Sequence, residues 1–326
     1  MTDNKQQILI VFQGALDEMV RIFVPCQRIR EFHKGARITL LTDETFEPLL
    51  KHCPFFNAVE ATLADTAGKG FFDRLKAARS APFDVIYDLS ASPQTSKIRR
   101  AARFSKTQWV DLSIKPKPDQ HPLEALSMKM TEAGLGGQSQ YSLGEAPAPK
   151  LDWIDFVAKR SRTLDPAYFG LLDKYALFAP AGDESPPATR WPKERWASLA
   201  HELLQEGIEP VVIGGPSTRE IGRYVAHMTP GARDLTGRAN LVQLAGLGRM
   251  TQCAFGEDVP LLHLLVAAGS PAVLFHPGDQ PPIYTAPRGE QPTILMHAPT
   301  LAQISPQESL QAMRCAGGFD RNMRAA

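Results

Sequence analysis

The chain has 326 residues, of which 43% are hydrophobic and 22% charged, and this composition predicts an ordinary globular protein of roughly two domains. Its net charge of +1 excludes a global field that recruits nucleic acid, and its four scattered cysteines, without a CxxC pair, argue against zinc and favour a reducing compartment. Its start lacks a signal-peptide layout and no apolar run reaches about 18 residues, so we expect a cytoplasmic protein without a membrane span.

Short apolar runs alternate with helical patterns through the first half of the chain. Runs that are apolar at nearly every position are typical of strands buried on both faces of a parallel sheet. They are ILIVF (8–12), RITLLT (37–42), NAVEA (57–61), FDVIYDL (83–89) and QWVDL (108–112). The segments between them predict helices, the first over 16–33, and the alternation predicts a doubly wound α/β domain.

The same alternation restarts after a segment at 115–150 that is rich in Pro, Gly and Ser. Further strands are predicted in YALFAPAG (175–182), EPVVIGG (209–215), CAF (253–255) and SPAVLFH (270–276). Helices are predicted between them, one ending at Gly207 and one capped by Ser217. The last helix, over 305–316, begins with a capping box of Ser305 and Glu308.

This organisation predicts an N-terminal domain over 1–160 and a C-terminal domain over 161–326, with the last helix able to pack back on the first domain. The carboxyl ends of both parallel sheets are expected to line a cleft, because such folds bind ligands there.

The strand–glycine–helix segment IGGPSTRE (213–220) is the strongest local signal for a nucleotide. Gly214 and Gly215 let the backbone approach a ligand, a helix N-terminus favours anions, and Glu220 can accept hydrogen bonds from ribose hydroxyls. A tight turn followed by a solvated glutamate explains the same residues. The chain lacks a P-loop and a first-turn G-x-G-x-x-G, which disfavours a P-loop NTPase and a nicotinamide dehydrogenase.

Basic residues precede the helix at 195–207. Arg190, Lys193 and Arg195 can neutralise a diphosphate there. The alternative is that Trp191 and Trp196 pack the helix onto the sheet while the cations stay solvated, and large aromatics usually pack.

Two further charged segments lie in the first half. Asp17 and Glu18 follow the first strand, where a carboxylate can act as general base or simply favour the first helical turn. The segment KIRRAARFSK (97–106) carries five cations and fits an anionic acceptor, a membrane surface or a solvated helix face.

Taken in order, these segments resemble glycosyltransferase family 9, the ADP-heptose:lipopolysaccharide heptosyltransferases. The likeness is strongest from Leu177 to Phe275, in LFAPAG, TRWPKERWASLAHELLQEGIEPVVIGGPSTRE, DLTGRANLVQLAGLGRM and GEDVPLLHLLVAAGSPAVLF. It implies the GT-B fold, in which two Rossmann-like domains with parallel sheets face each other across a cleft and the C-terminal domain binds the nucleotide sugar.

The resemblance also implies an inverting transfer of heptose, without metal or cofactor, from an ADP-linked donor to a lipopolysaccharide core or another anionic envelope glycan. Glu18, by register, or its neighbour Asp17 is the implied base. The expected donor-binding residues are Gly182, Arg190, Lys193, Gly214, Gly215, Glu220, Asp258, Val259, Pro260, Leu261, Leu262 and His263. The expected acceptor-binding residues are Lys97, Arg99, Arg100 and Arg103, whose segment also implies peripheral contact with the inner face of the inner membrane.

The chain departs from the family pattern at three places. Asn-Asp-Ser/Thr-Gly-Pro-x-His becomes the segment 257–263, in which Val259 has no hydroxyl and Pro260 no amide to donate to a phosphate. Leu-Gly-Asp becomes Leu16-Asp17-Glu18, and Ala179 replaces a histidine while Gly182 comes one residue late. Three interpretations follow: an active transferase, a non-catalytic sugar-nucleotide-binding or scaffold protein of the same fold, and a sugar-nucleotide epimerase.

Overall fold

The computed structural model describes residues 5–62, 83–90, 95, 106–138, 140, 142–257 and 260–319. Contacts divide the chain into two compact units, Met1–Pro149 and Lys150–Ala326. Each unit contains a fully parallel sheet, as the continuous apolar runs predict. Within the described residues, no helix combines the length and apolarity needed to cross a membrane.

The first unit is built on five strands in the order β3-β2-β1-β4-β5. They are β1 (Gln7–Val11), β2 (Arg37–Asp43), β3 (Ala58–Thr62), β4 (Val85–Asp88) and β5 (Gln108–Asp111). The central strand β1 is almost wholly buried, with Ile8 in register with Ile38 on one side and Val85 on the other. Its apolar run therefore fits a strand covered on both faces.

The described helices of the first unit are α1 (Leu16–Arg21), α2 (Phe23–Phe32), α3 (Glu47–Leu50) and α4 (Pro122–Glu132). The helical pattern expected over 16–33 is confirmed, but the chain breaks at Ile22 into two helices, α1 and α2. Pro25 has no N–H to donate to the carbonyl of Arg21, and its ring crowds that carbonyl, so one continuous helix is disfavoured. Helix α4 lies in the Pro-, Gly- and Ser-rich segment at 115–150, where the sequence patterns did not indicate a helix.

The second unit contains six strands in the order β11-β10-β9-β6-β7-β8. They are β6 (Tyr175–Ala179), β7 (Glu209–Val212), β8 (Arg233–Asp234), β9 (Cys253–Gly256), β10 (Ala272–Pro277) and β11 (Thr293–Ala298). Strands β6, β7, β9 and β10 match the expected runs, whereas β8 and β11 are edge strands that the sequence patterns did not indicate.

Six helices of this unit are described: α5 (Ile154–Ala158), α6 (Lys193–Gln205), α7 (Arg219–Met228), α8 (Leu241–Met250), α9 (Pro260–Ala267) and α10 (Pro306–Cys315). The capping box of α10 is confirmed, since Ser305 Oγ accepts the Glu308 N–H and Glu308 accepts the Ser305 N–H. The N-cap expected at Ser217 is wrong: a 3-10 turn at Pro216–Thr218 comes first, and Thr218 precedes α7.

An aromatic cluster forms the centre of the second unit. Trp191 and Trp196 are buried, and their ring centroids lie 4.6 and 5.6 Å from that of Phe275. Trp196 also packs on Phe178, with 4.9 Å between ring centroids. Packing therefore accounts for both tryptophans.

The two units meet in the sequence between Pro149 and Lys150, whereas the predicted boundary follows residue 160. The Leu151 N–H donates to the carbonyl of Ala267 at 3.0 Å, and Asp155 on α5 pairs with Arg249 on α8 at 3.0 Å, so this segment belongs to the second unit. The last helix, α10, also packs within its own unit, where Arg314 pairs with Glu206 at the end of α6 at 2.7 Å.

Candidate functional site

A pocket of about 300 Å³ lies in the second unit where β6 and β7 end and helices α6 and α7 begin. Charged side chains and a few apolar ones line it: Asp183, Pro187, Arg190, Trp191, Pro192, Lys193, Glu220 and Ile221. Three of the expected donor-binding residues, Arg190, Lys193 and Glu220, therefore meet at one surface.

Both cations in this pocket are paired with acids. Arg190 Nη1 lies 3.1 Å from Asp183 Oδ1, and Lys193 Nζ lies 2.7 Å from Glu220 Oε1. The hydrogen bond from Lys193 holds the pKa of Glu220 below its ordinary value, and the same bond holds the pKa of Lys193 above its own. The pocket thus contains two basic and two acidic side chains, arranged as two ion pairs.

Glu257, directly after β9, is the one buried acid beside this pocket in the described part of the chain. Its Oε2 accepts the N–H of Ala181 and its Oε1 accepts the N–H of Trp191. Burial raises the pKa of Glu257 to about 7, although the two N–H donors and the nearby Arg190 lower it. Glu257 was not among the expected site residues, although its position at the end of a buried strand is a signal in the sequence.

Glycines shape the two loops that lead into the pocket. Gly214 has φ +137°, a conformation that favours glycine, and a Cβ there would lie 2.5 Å from Thr218 Oγ1. Gly215 is extended. A Cβ on Gly182 would lie 2.3 Å from Ser217 Oγ, and the Asp183 N–H donates to the Ser217 carbonyl at 3.1 Å. None of these glycines lines the pocket itself, but they allow the loops after β6 and β7 to meet.

The structure describes only part of the expected donor-binding segment at 258–263. Asp258 and Val259 lie outside the described residues. Pro260 is exposed and Leu261 half-buried, but Leu262 is fully buried, with its methyl groups near Gly256. His263 is also buried, so neither Leu262 nor His263 presents a surface to the described pocket.

The first unit places its two candidate acids differently. Glu18 lines a pocket of about 60 Å³ together with Phe12, Gln13, Arg21, Ile22, Leu89, Leu112, Ile114 and Leu126. Its Oε2 accepts the Ala15 N–H at 2.9 Å, and a Cβ on Gly14 would lie 2.4 Å from that oxygen. Asp17 does not line this pocket and instead pairs with Arg21 at 2.8 Å. Of the two acids, Glu18 has the access that a base needs.

The expected acceptor-binding residues Lys97, Arg99, Arg100 and Arg103 lie outside the described residues. Lys106, at the end of the same basic segment, is described and exposed.

Residues 140–313 match the family model described as glycosyltransferase family 9 (heptosyltransferase), and this range is more than half of the chain. The chain belongs to glycosyltransferase family 9. The family 9 match covers the whole pocket of the second unit, whereas Asp17 and Glu18 lie before it.

Lipopolysaccharide heptosyltransferase 2 of Salmonella typhimurium is 28% identical over 159 residues, 46% of this chain and 45% of that relative. The match thus spans less than half the length of the curated relative.

Solved structures resemble the chain over nearly its full length. A family 9 glycosyltransferase from Veillonella parvula has a TM-score of 0.74 at 17% identity, covering 98% of this chain and 99% of that one. The Escherichia coli ADP-heptose lipopolysaccharide heptosyltransferase II has a TM-score of 0.72 at 20% identity, covering 95% of this chain and 98% of that one. At such identities the likeness shows the fold, and the expected GT-B class with two parallel sheets is confirmed.

Proposed function

We propose that this chain is a glycosyltransferase that transfers heptose, or a related sugar, from a nucleoside-diphosphate donor to a lipopolysaccharide core or another envelope glycan. Membership of family 9 supports sugar transfer. ADP-heptose is the first donor to test, because the structural relative from Escherichia coli is named an ADP-heptose lipopolysaccharide heptosyltransferase.

The observation that carries the proposal is the meeting of Arg190, Lys193 and Glu220 at one pocket. A diphosphate that enters between the two cations offers them oxygens in place of their present carboxylate partners, and charge-assisted hydrogen bonds of this kind are strong. Lys193 then leaves Glu220, whose freed carboxylate accepts hydrogen bonds from ribose hydroxyls. Asp183 and Glu220, which lose their cations in this exchange, are more than half exposed, so water solvates their carboxylates.

The reaction we propose is inverting and needs no metal. Glu18 takes the proton from an acceptor hydroxyl, and the oxygen of that hydroxyl attacks the anomeric carbon of the donor. The bond from this carbon to the nucleoside diphosphate breaks, and the cations of the second unit stabilise the negative charge of the leaving diphosphate. Fixed positive groups aimed at a developing charge are the usual way to stabilise it. We assign this activity to the cytoplasmic side of the inner membrane, with the basic segment at 97–106 as the contact to membrane or acceptor.

One set of observations favours a second candidate, a protein of this fold that binds a sugar nucleotide without turnover. Val259 has no side-chain hydroxyl and Pro260 has no backbone N–H, whereas the family pattern supplies both donors at these positions. Both pocket cations are already paired with acids, so a ligand has to displace those partners.

Isothermal titration with ADP, followed by ADP release from ADP-heptose in the presence of a lipopolysaccharide-core acceptor, separates these candidates. We expect binding and acceptor-dependent release. Lys193→Ala should weaken ADP binding about tenfold, since one hydrogen bond to a charged group is lost. Arg195→Ala is the matched control, because Arg195 donates to the Ala302 carbonyl at 3.4 Å outside the pocket.

Each other outcome has a distinct meaning. No binding of ADP or ADP-heptose rejects both candidates. Binding without release, and with no effect of Glu18→Gln on that binding, supports the non-catalytic one. Conversion of the donor without an acceptor identifies an epimerase instead.

A further inference from the structure

Glu257 joins three parts of the second unit that are distant in sequence. It follows β9, and its two carboxylate oxygens accept the N–H of Ala181, 76 residues away, and the N–H of Trp191, 66 residues away. Only 7% of Glu257 is exposed, so these bonds are shielded from water. Ala181 and Trp191 are the two ends of one loop, which we call the 181–191 loop.

The 181–191 loop carries or adjoins most of the charge in the pocket. Asp183 and Arg190 lie on it and pair with each other at 3.1 Å, and Lys193 starts α6 two residues after its end. Trp191 is held on its other side by the core, since its Nε1 donates to the Ile304 carbonyl at 3.0 Å. The ring of Trp191 is therefore fixed by packing, while the backbone at each end of the loop donates a hydrogen bond to Glu257.

Only a carboxylate can accept the N–H groups of both Ala181 and Trp191. An ionised glutamate accepts at both oxygens and donates at neither, whereas a glutamine presents an NH₂ group to one of the two N–H donors. A buried N–H that loses its acceptor is costly, so the loop has to move to recover a partner.

We infer that Glu257 is a positioning residue of the donor pocket, which holds both ends of the 181–191 loop and so sets where Arg190 and Lys193 stand. This rests on the proposed function, because the loop matters for turnover only if a nucleoside diphosphate binds between those cations. Glu257 itself does not line the pocket, and it acts through the backbone of its two partners.

The test compares Glu257→Gln with Glu209→Gln in the full chain. Glu209 is a matched control: it is 3% exposed, accepts a backbone N–H from Leu172 and pairs with Arg233, but it lies at the start of β7, away from the pocket. Titration with ADP at pH 8 should show about tenfold weaker binding for Glu257→Gln and unchanged binding for Glu209→Gln.

A spectroscopic readout tests the contact without any ligand. With ¹⁵N-tryptophan, the chain gives four backbone amide signals, and that of Trp191 should move upfield in Glu257→Gln because its proton loses a charged acceptor. Glu209→Gln should leave it in place. If Glu257→Gln does not fold, Glu257→Asp keeps both oxygens on a shorter arm and should show the same two changes in smaller amount.

The results separate this inference from the proposed function. Normal ADP binding and an unmoved Trp191 signal in Glu257→Gln reject the positioning role alone. Equal weakening by Glu209→Gln means that any buried defect disturbs the pocket, which also rejects it. No ADP binding by the unchanged chain rejects the proposed function, and with it the donor role of the loop.

Discussion

Glu18 and Glu257 both follow a strand inside a parallel sheet, one in each unit, yet the molecule holds them in opposite ways. Glu18 is exposed, and its partner is the N–H of Ala15, three residues away. Glu257 is buried, and its partners are 66 and 76 residues away. The first acid is held by its own helical turn, the second by the fold.

This difference separates two kinds of functional carboxylate. An exposed acid held locally remains accessible, so its substitution should change chemistry with little effect on stability. A buried acid held by distant backbone groups is coupled to folding, so its substitution and its protonation should both change stability. Two experiments test this contrast, and a third tests the backbone beside the pocket that Glu257 supports.

The largest expected effect is on turnover, in the first unit. Glu18→Gln should reduce the rate of acceptor-dependent ADP release about 10²- to 10⁴-fold, the usual contribution of a general base. Stability should change little, because a glutamine at this helix position can still accept the Ala15 N–H.

Asp17→Asn is the matched control for Glu18→Gln. It removes an i,i+4 pair with Arg21, which contributes only about 0.2–0.5 kcal/mol to the free energy of unfolding, and it should leave turnover nearly unchanged. A loss of turnover in Asp17→Asn that equals or exceeds that in Glu18→Gln would make Asp17 the base and contradict our assignment.

A smaller effect, on stability, is expected for protonation in the second unit. Burial raises the pKa of Glu257 from 4.5 to about 7, so between these values the folded chain keeps a proton that the unfolded chain loses. The free energy of unfolding should therefore fall, by up to about 3 kcal/mol from this group, as pH rises through that window.

Urea unfolding of the unchanged chain and of Glu257→Gln at several pH values isolates this contribution, because glutamine does not titrate. The difference in free energy between the two should decrease from pH 4.5 to pH 7.5. A difference that stays flat or increases would show that folding does not raise the pKa of Glu257.

The smallest expected effect concerns backbone shape beside the pocket. Gly214→Ala should lower the free energy of unfolding by about 1–3 kcal/mol, because its positive φ is strained for alanine and its Cβ would meet Thr218. Gly215→Ala should be neutral or stabilise the chain by up to about 1 kcal/mol, since its extended backbone suits alanine and no atom lies within 4 Å of the new Cβ. Thermal unfolding of both variants measures the contrast, and equal effects would remove the special role of Gly214.

The sequence predicts the parts of the fold whose signals are local. Strands β1, β2, β6 and β10 are buried on both faces, and their continuous apolar runs identify them directly. Strand β11 is mostly half-buried at a sheet edge, so its pattern lacks such a run. Helix α4 lies among residues typical of loops, and only its start, where His121 accepts the Leu123 N–H, gives a capping signal.

The candidate site also contains some residues that local sequence signals predict and others that they do not. Asp17 and Glu18 are predictable because their position after a strand is a local feature, and Glu220 because it follows two glycines. The sequence does not predict which of these two adjacent acids lines the pocket, because this depends on how α1 lies on the sheet. Glu257 was missed because its partners are separated from it by most of two β–α units, and no spacing in the sequence relates them.

The contact between Glu257 and Ala181 also has a consequence for biosynthesis. Ribosomes make the chain from its N-terminus, so the 181–191 loop leaves the ribosome 76 residues before the acid that holds it. Strand β9 then pairs with β6, which was made more than 70 residues earlier, and such non-local pairing slows folding. During this interval the loop lacks both of its bonds to Glu257, so its position is fixed only after that acid has been made.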